Sequence, residues 1–286
     1  MTRPAPAAWR AVQILELLTT HAVDSFSLSE IARRLSLNVA STHTVLAVLE
    51  EAGYVVRHPT RRTYGLGPSL VAAGDAALRR YPAIDAARDE IRRLSAELDV
   101  ELLITAVAGT RIVALARAGR RHPLGLEVGG SVPYAPPLGS VFAAWQPAQE
   151  FTAWLARAEP GADAGDRDRY RAAAAAVRRW GYFVAVDQAV LESLRNSARP
   201  RGDARAREAA QLVGDLTELG YHRHVAPTHS MVAAPVFDSD GQAELAIVLL
   251  GLPERLTATE LLASATSIRD AALVVTRRAR GRMPDD

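Results

Sequence analysis

Cysteine is absent from all 286 residues, which excludes disulfides, thiolate metal sites and cysteine nucleophiles. Lysine is absent as well, so all 34 cationic side chains are arginine. Arginine-only usage fits a GC-rich coding sequence, and it also suits bidentate contacts to phosphate and guanine. No apolar run is long enough to span a bilayer, and Met1-Thr2-Arg3-Pro4-Ala5-Pro6 lacks the apolar stretch of a signal peptide. A cytoplasmic protein without membrane association is therefore expected. The formal net charge of +2 leaves partners undecided. With 49% hydrophobic residues, the chain can build a substantial core in one large domain or two ordinary ones.

What is present begins with three helical stretches. Trp9 to His21 carries apolar residues at 11, 12, 15 and 18. After the polar break Asp24-Ser25-Phe26-Ser27, Leu28, Ile31, Ala32 and Leu35 form one helical face, and Ser27 with Glu30 has capping-box spacing. The third stretch sets Val45, Val48, Leu49 and Ala52 at the same spacing and ends at Gly53. Its expected outward face, Ala40, His43, Thr44 and Ala47, is small and weakly polar. That composition suits a helix brought close to a nucleic acid, because a helix N-terminus favours anions and the major groove admits a helix. An ordinary helical hairpin with a quiet surface is the alternative. Tyr54–Arg57 and Arg62–Leu66 then read as a β-hairpin around His58-Pro59-Thr60-Arg61, with Arg57, Arg61 and Arg62 at or near its tip. Three helices and a cationic hairpin make a winged helix-turn-helix, in which the wing holds phosphates while the helix reads bases.

In this order and spacing, Ala11–Leu18, Leu28-Ser29-Glu30-Ile31-Ala32, Val48–Val55 and Thr63-Tyr64-Gly65-Leu66-Gly67 resemble the DNA-binding domain of the IclR family of bacterial transcriptional regulators. The resemblance implies residues 1–67 as a winged helix-turn-helix domain, 68–82 as a linker helix with a dimer contact, and 83–286 as a GAF-like effector-binding domain. It implies double-stranded operator DNA as partner, repression by default, and a homodimer or homotetramer. Residues placed toward DNA are Asn38, Ala40, Ser41, Thr42, His43, Thr44, Arg57, Arg61 and Arg62. One departure matters: where the family carries a basic residue, a small hydroxyl and a later arginine, this chain has Val39, Ala40 and Thr44. The family's operator preference therefore does not carry over. A winged-helix module for protein interaction or dimerisation is the rival reading.

Beyond the linker, helical and hairpin patterns alternate, which indicates an α+β domain with a mainly antiparallel sheet. Helices are expected over Ala83–Leu98, from about Ala135 to Trp145, over Asp166–Trp180, Asp203–Leu219 and Thr257–Arg280, the last ending in a basic, frayed tail. Hairpins are expected at Glu101–Val107 with Arg111–Arg117 and at Met231–Asp238 with Ala243–Gly251. Three landmarks resemble the IclR effector domain: the Gly-rich stretch into a helix at 129–145, the Arg178-Arg179-Trp180-Gly181-Tyr182 turn, and the Ala-Ala-Pro-Val-Phe-Asp hairpin. An insertion around 187–225 exceeds the family pattern. The resemblance places a small-molecule effector, an organic acid or aromatic metabolite, against Ser131, Val132, Tyr134, Leu138, Gly139 and Ser140, with a carboxylate at the start of the 139–146 helix. Tyr134 and Leu138 also read as plain core. No catalytic constellation, cofactor loop or protease metal motif stands out, so no enzyme, metal or cofactor is expected. His222, His224 and His229 form the one histidine cluster, either a zinc site or ordinary surface histidines.

Overall fold

The computed structural model describes residues 5–21, 24–79, 81–123, 125–158, 164–200, 202–219 and 230–284. The chain divides into two compact units, Met1–Pro82 and Ala83–Asp286.

The first unit contains α1 (Pro6–Thr20), β1 (Phe26–Ser27), α2 (Leu28–Arg34), α3 (Val39–Glu51), β2 (Val55–Arg57), β3 (Thr63–Leu66) and α4 (Ser69–Leu78). The expected capping box starts α2: Ser27 Oγ accepts the Glu30 N–H, and the Glu30 carboxylate accepts the Ser27 N–H at 2.7 Å. α3 ends in a Schellman turn. Gly53, at φ 72°, takes the left-handed position, its N–H bonds Glu50 O, and the Tyr54 N–H bonds Leu49 O. The three strands pair antiparallel in the order β1-β3-β2, so the two-residue β1 adds an edge to the expected hairpin. Ile14, Leu18, Phe26, Ile31, Leu46, Val55 and Tyr64 are core.

The outer boundary of that core corrects the expected stripe on α3. Thr42, Val45, Leu46 and Leu49 are its buried residues, whereas Val48 is 61% exposed. On α1, Val12 likewise faces outward and Ile14 takes its place in the core.

The second unit is built on one antiparallel sheet, ordered β6-β5-β4-β9-β8-β7, from Ser131–Pro133, Arg111–Ala118, Glu101–Ala108, Ala243–Leu250, Met231–Phe237 and Phe183–Ala185. Two helices, α5 (Ala83–Leu98) and α11 (Ala258–Arg278), pack on β4, β8 and β9. Because side chains alternate along a strand, Leu102, Ile104, Val232, Ala234, Ile247 and Leu249 share the buried face opposite Leu103, Ala233 and Val248. α6 (Ser140–Ala143), α7 (Ala148–Leu155) and α8 (Ala164–Trp180) belong with that second face. The insertion contributes α9 (Gln188–Ser197) and the expected extra helix α10 (Ala204–Leu219), which packs on α11. The tail after α11 is tied down rather than frayed: the Gly281 N–H bonds Thr276 O, and the Arg282 N–H bonds Asp238 O at 2.8 Å.

Candidate nucleic-acid interface and effector cavity

Asn38 caps α3, its Oδ1 accepting the N–H groups of Ala40 at 2.9 Å and Ser41 at 3.3 Å. The cap fixes the point at which the helix leaves the α2 turn. With four buried residues on one side, Ala40, Thr44 and Ala47 face away from the core, flanked by His43 and Val39 on one side and Val48 on the other. All six are exposed. Thr42 is not among them. It is fully buried, and its hydroxyl donates to Asn38 O at 2.9 Å, so it is a core residue and leaves the DNA-facing group. The Ser41 and Thr44 hydroxyls also donate back into the helix, to Asn38 O and Ala40 O.

The wing is the β2–β3 hairpin. Its turn is ordered by His58, whose Nδ1 accepts the N–H groups of Thr60 and Arg61 at 3.3 and 3.2 Å. Arg62 closes the turn at φ 55°. Arg57, Arg61 and Arg62 are exposed, as expected, and the Arg57 guanidinium lies 5.5 Å from the centre of the Tyr64 ring. Arg33 and Arg34, absent from the residues expected toward DNA, add two more cations. Both are exposed in the last turn of α2, and Arg34 sits 4.6 Å over Phe26. Stacking on an aromatic face limits the positions a guanidinium samples.

In the second unit, a cavity of about 730 Å³ opens against the sheet face carrying Leu103, Ile112, Ala233, Val248 and Leu250. Four expected effector residues, Val132, Leu138, Gly139 and Ser140, line it. Two do not. Ser131 lies on β6 with its hydroxyl accepting Arg111 Nε–H at 2.7 Å. Tyr134 is core: its ring packs edge-on to Phe142 and beside Trp154, directly beneath Gly139. Its hydroxyl is buried without a hydrogen-bond partner among the described residues, and burial pushes its pKa up to about 12. The helix expected over 139–146 is only the four-residue α6, too short to present a strong dipole, and the Ser140 hydroxyl donates to Pro137 O at 2.7 Å. The polar groups at the wall come instead from Thr105, His122, Arg157 and Ser230. Ser230 Oγ donates to Asp187, and Asp187 caps α9 by accepting the Val190 N–H, which ties the insertion to the cavity wall.

A second wall is formed by residues 119–123 and 125–130, which bring His122 and Leu126 to the cavity. It is anchored by Glu101, whose side chain is 0% exposed. Glu101 Oε2 accepts the His122 N–H at 2.8 Å, and Arg117 Nε lies 3.6 Å from Oε1. Arg117 and Arg121 both pair with Glu127, at 3.3 and 2.7 Å. Gly125 runs so close to the Glu101 carboxylate that a Cβ there would fall 2.0 Å from Oε2.

His222, His224 and His229 lie outside the described residues. Among the described residues no three His, Asp or Glu side chains are grouped to hold a metal, and no helix is long and apolar enough to cross a membrane.

Residues 7–59 match the IclR helix-turn-helix domain. The chain is similar to the Pca regulon regulatory protein of Pseudomonas putida, 28% identical over 194 residues, and the match covers 65% of this chain and 66% of that protein, just short of two thirds of its length. Among solved structures, an IclR transcriptional regulator from Alicyclobacillus acidocaldarius has a TM-score of 0.69 at 21% identity, covering 97% of this chain and 100% of that one. An IclR homolog from Microbacterium hydrocarbonoxydans, complexed with 4-hydroxybenzoate, has a TM-score of 0.64 at 18% identity, covering 96% of this chain and 99% of that one. These structural likenesses establish the α+β fold of an N-terminal helix-turn-helix unit with a small sheet and a C-terminal antiparallel sheet domain. The N-terminal match gives residues 7–59 as an IclR helix-turn-helix domain, and over the rest of the chain the likeness is one of fold.

Proposed function

We propose that the protein is a ligand-responsive regulator that binds operator DNA through its N-terminal unit and represses by occupying the promoter. In this reading α3 enters the major groove with Ala40, Ser41, His43 and Thr44 toward the bases. Arg57, Arg61 and Arg62 hold the phosphates from the wing, and Asn38 sets the start of the helix. The observation that carries it is the exposed outward side of α3 in a unit whose wing and α2 end carry exposed arginines, Arg34 and Arg57 of them held over aromatic rings. Operator DNA with two-fold symmetric half-sites would engage a homodimer or a pair of dimers.

The effector is taken up in the C-terminal cavity, against Val132, Leu138, Gly139 and Ser140. Apolar walls with Arg157 and His122 among the lining residues suit an organic acid or aromatic metabolite with one anionic end. The relative complexed with 4-hydroxybenzoate supports that chemical class. A ligand alters DNA occupancy only through different affinities for the DNA-competent and DNA-incompetent states.

A mobility-shift titration of the full chain against its own upstream region, at two salt concentrations, tests the DNA reading. Binding weakens steeply with salt if phosphate contacts drive it. Absence of any salt-sensitive complex refutes it. Thermal-shift screening with aromatic and aliphatic acids tests the cavity, since a ligand preferring the folded form raises the melting temperature.

A further inference from the structure

Holding a duplex and choosing among duplexes need different chemical groups, and the N-terminal unit keeps them apart. Its groove-side cations sit on the wing and in the last turn of α2, while α3 has no arginine along its whole length. Guanine is read in the major groove by paired donors from arginine or lysine, and adenine by asparagine or glutamine. The outward side of α3 has none of these. Asn38 Oδ1 is occupied by two backbone N–H groups of its own helix. The Thr44 hydroxyl is occupied by Ala40 O at 3.1 Å.

Beside the single imidazole of His43, what the outward side offers is apolar. Val39 is 50% exposed and Val48 is 61% exposed, with Ala40 and Ala47 exposed between them. Branched apolar groups left in water contribute nothing to the stability of the free unit, and these two border the outward face on either side. A major-groove edge presents one apolar group, the C5-methyl of thymine. We propose that α3 selects its operator by packing Val39, Ala40, Ala47 and Val48 against thymine methyl groups, with arginine confined to phosphate contacts. The inference rests on the regulator reading above and adds the base it recognises.

Deoxyuridine differs from thymidine in a duplex only by that methyl group, which makes the test direct. Duplexes enriched by the full chain from a randomised pool are resynthesised with each thymine of a half-site replaced singly by deoxyuridine. About two or more positions are expected to lose affinity, each by about four-fold for one buried methyl-sized group. Replacing guanines by 7-deazaguanine leaves affinity unchanged. Val39→Ser and Ala47→Ser sit on the exposed side and keep the fold, and each abolishes the thymine–uracil difference at one position. Salt-sensitive binding that is indifferent to uracil, or discrimination that survives both substitutions, overturns the inference while leaving DNA binding intact. Failure to bind any duplex in a salt-sensitive way overturns both.

Discussion

Gly125→Ala probes the wall of the cavity without touching its lining. An added Cβ would stand 2.0 Å from Glu101 Oε2 and 2.6 Å from Cδ, far inside van der Waals separation. Glu101 has nowhere to retreat, because its side chain is fully buried between the His122 N–H and Arg117. Either the backbone at Gly125 lifts or the carboxylate turns, and both break the bond from His122. Losing one hydrogen bond to a buried charge costs roughly 2 kcal/mol. For a unit of this size that lowers the melting temperature by about 4–8 °C. The assay is a double-mutant cycle by thermal and urea unfolding, with Gly125→Ala made in the native chain and in a Glu101→Ala background. If the carboxylate is the obstacle, the second step costs little once it is removed. Equal losses in both backgrounds, or none in the native chain, would refute the anchoring role of Glu101. Because His122 and Leu126 ride on the same segment, Gly125→Ala should also weaken whatever ligand the cavity takes.

The wing arginines should act on all sequences alike: Arg61→Ala with Arg62→Ala lowers affinity for every duplex and reduces the salt slope by about 0.9 for each phosphate no longer neutralised, measured by titration at several salt concentrations. Tyr134→Phe removes a buried hydroxyl that has no partner, so the variant is expected to be more stable by about 1 kcal/mol in urea unfolding; a loss of that size would reveal a hidden hydrogen bond. The capping boxes make helix stability pH-dependent. At Glu30, the Ser27 backbone N–H and then the Ser27 hydroxyl hold the carboxyl below its usual 4.5, and at Glu260 the same two groups of Thr257 do likewise. A depressed folded value means that this stabilisation is complete above the unfolded value near 4.5 and is lost as the pH falls through the lower folded one. Acid titration followed by circular dichroism should show that fall reduced in Ser27→Ala and Thr257→Ala.

The helix-turn-helix was legible because its signals are local. The Ser27–Glu30 capping box, the Gly53 stop and the arginine-tipped hairpin each depend on residues a few positions apart. The face of α3 was legible only in part. Thr42, placed toward DNA with its neighbours Ser41 and His43, is instead core, because a hydroxyl bonded to the carbonyl four residues back lets the side chain pass as apolar. Val48 was assigned to the core for the converse reason, since no local rule tells an apolar residue kept for a partner from one kept for the interior. In the second unit, strands buried on both faces hide which face meets the cavity. Leu103, Ile112, Ala233 and Val248 therefore gave no sign of lining it. His122 and Arg157 reach the wall from a loop and the end of a helix, placements that only long-range packing decides. The cluster around Tyr134 shows the same limit, its phenol being a support for Gly139 rather than a group that meets ligand.

Among the described residues, both rims of the six-stranded sheet are short strands. At one rim stands a three-residue strand finishing in Pro133, a residue without an N–H to donate, and at the other stands a strand equally brief. Short edges of this kind offer too few unpaired backbone groups to template an added strand. Strand addition onto either of these three-residue edge strands is thereby disfavoured.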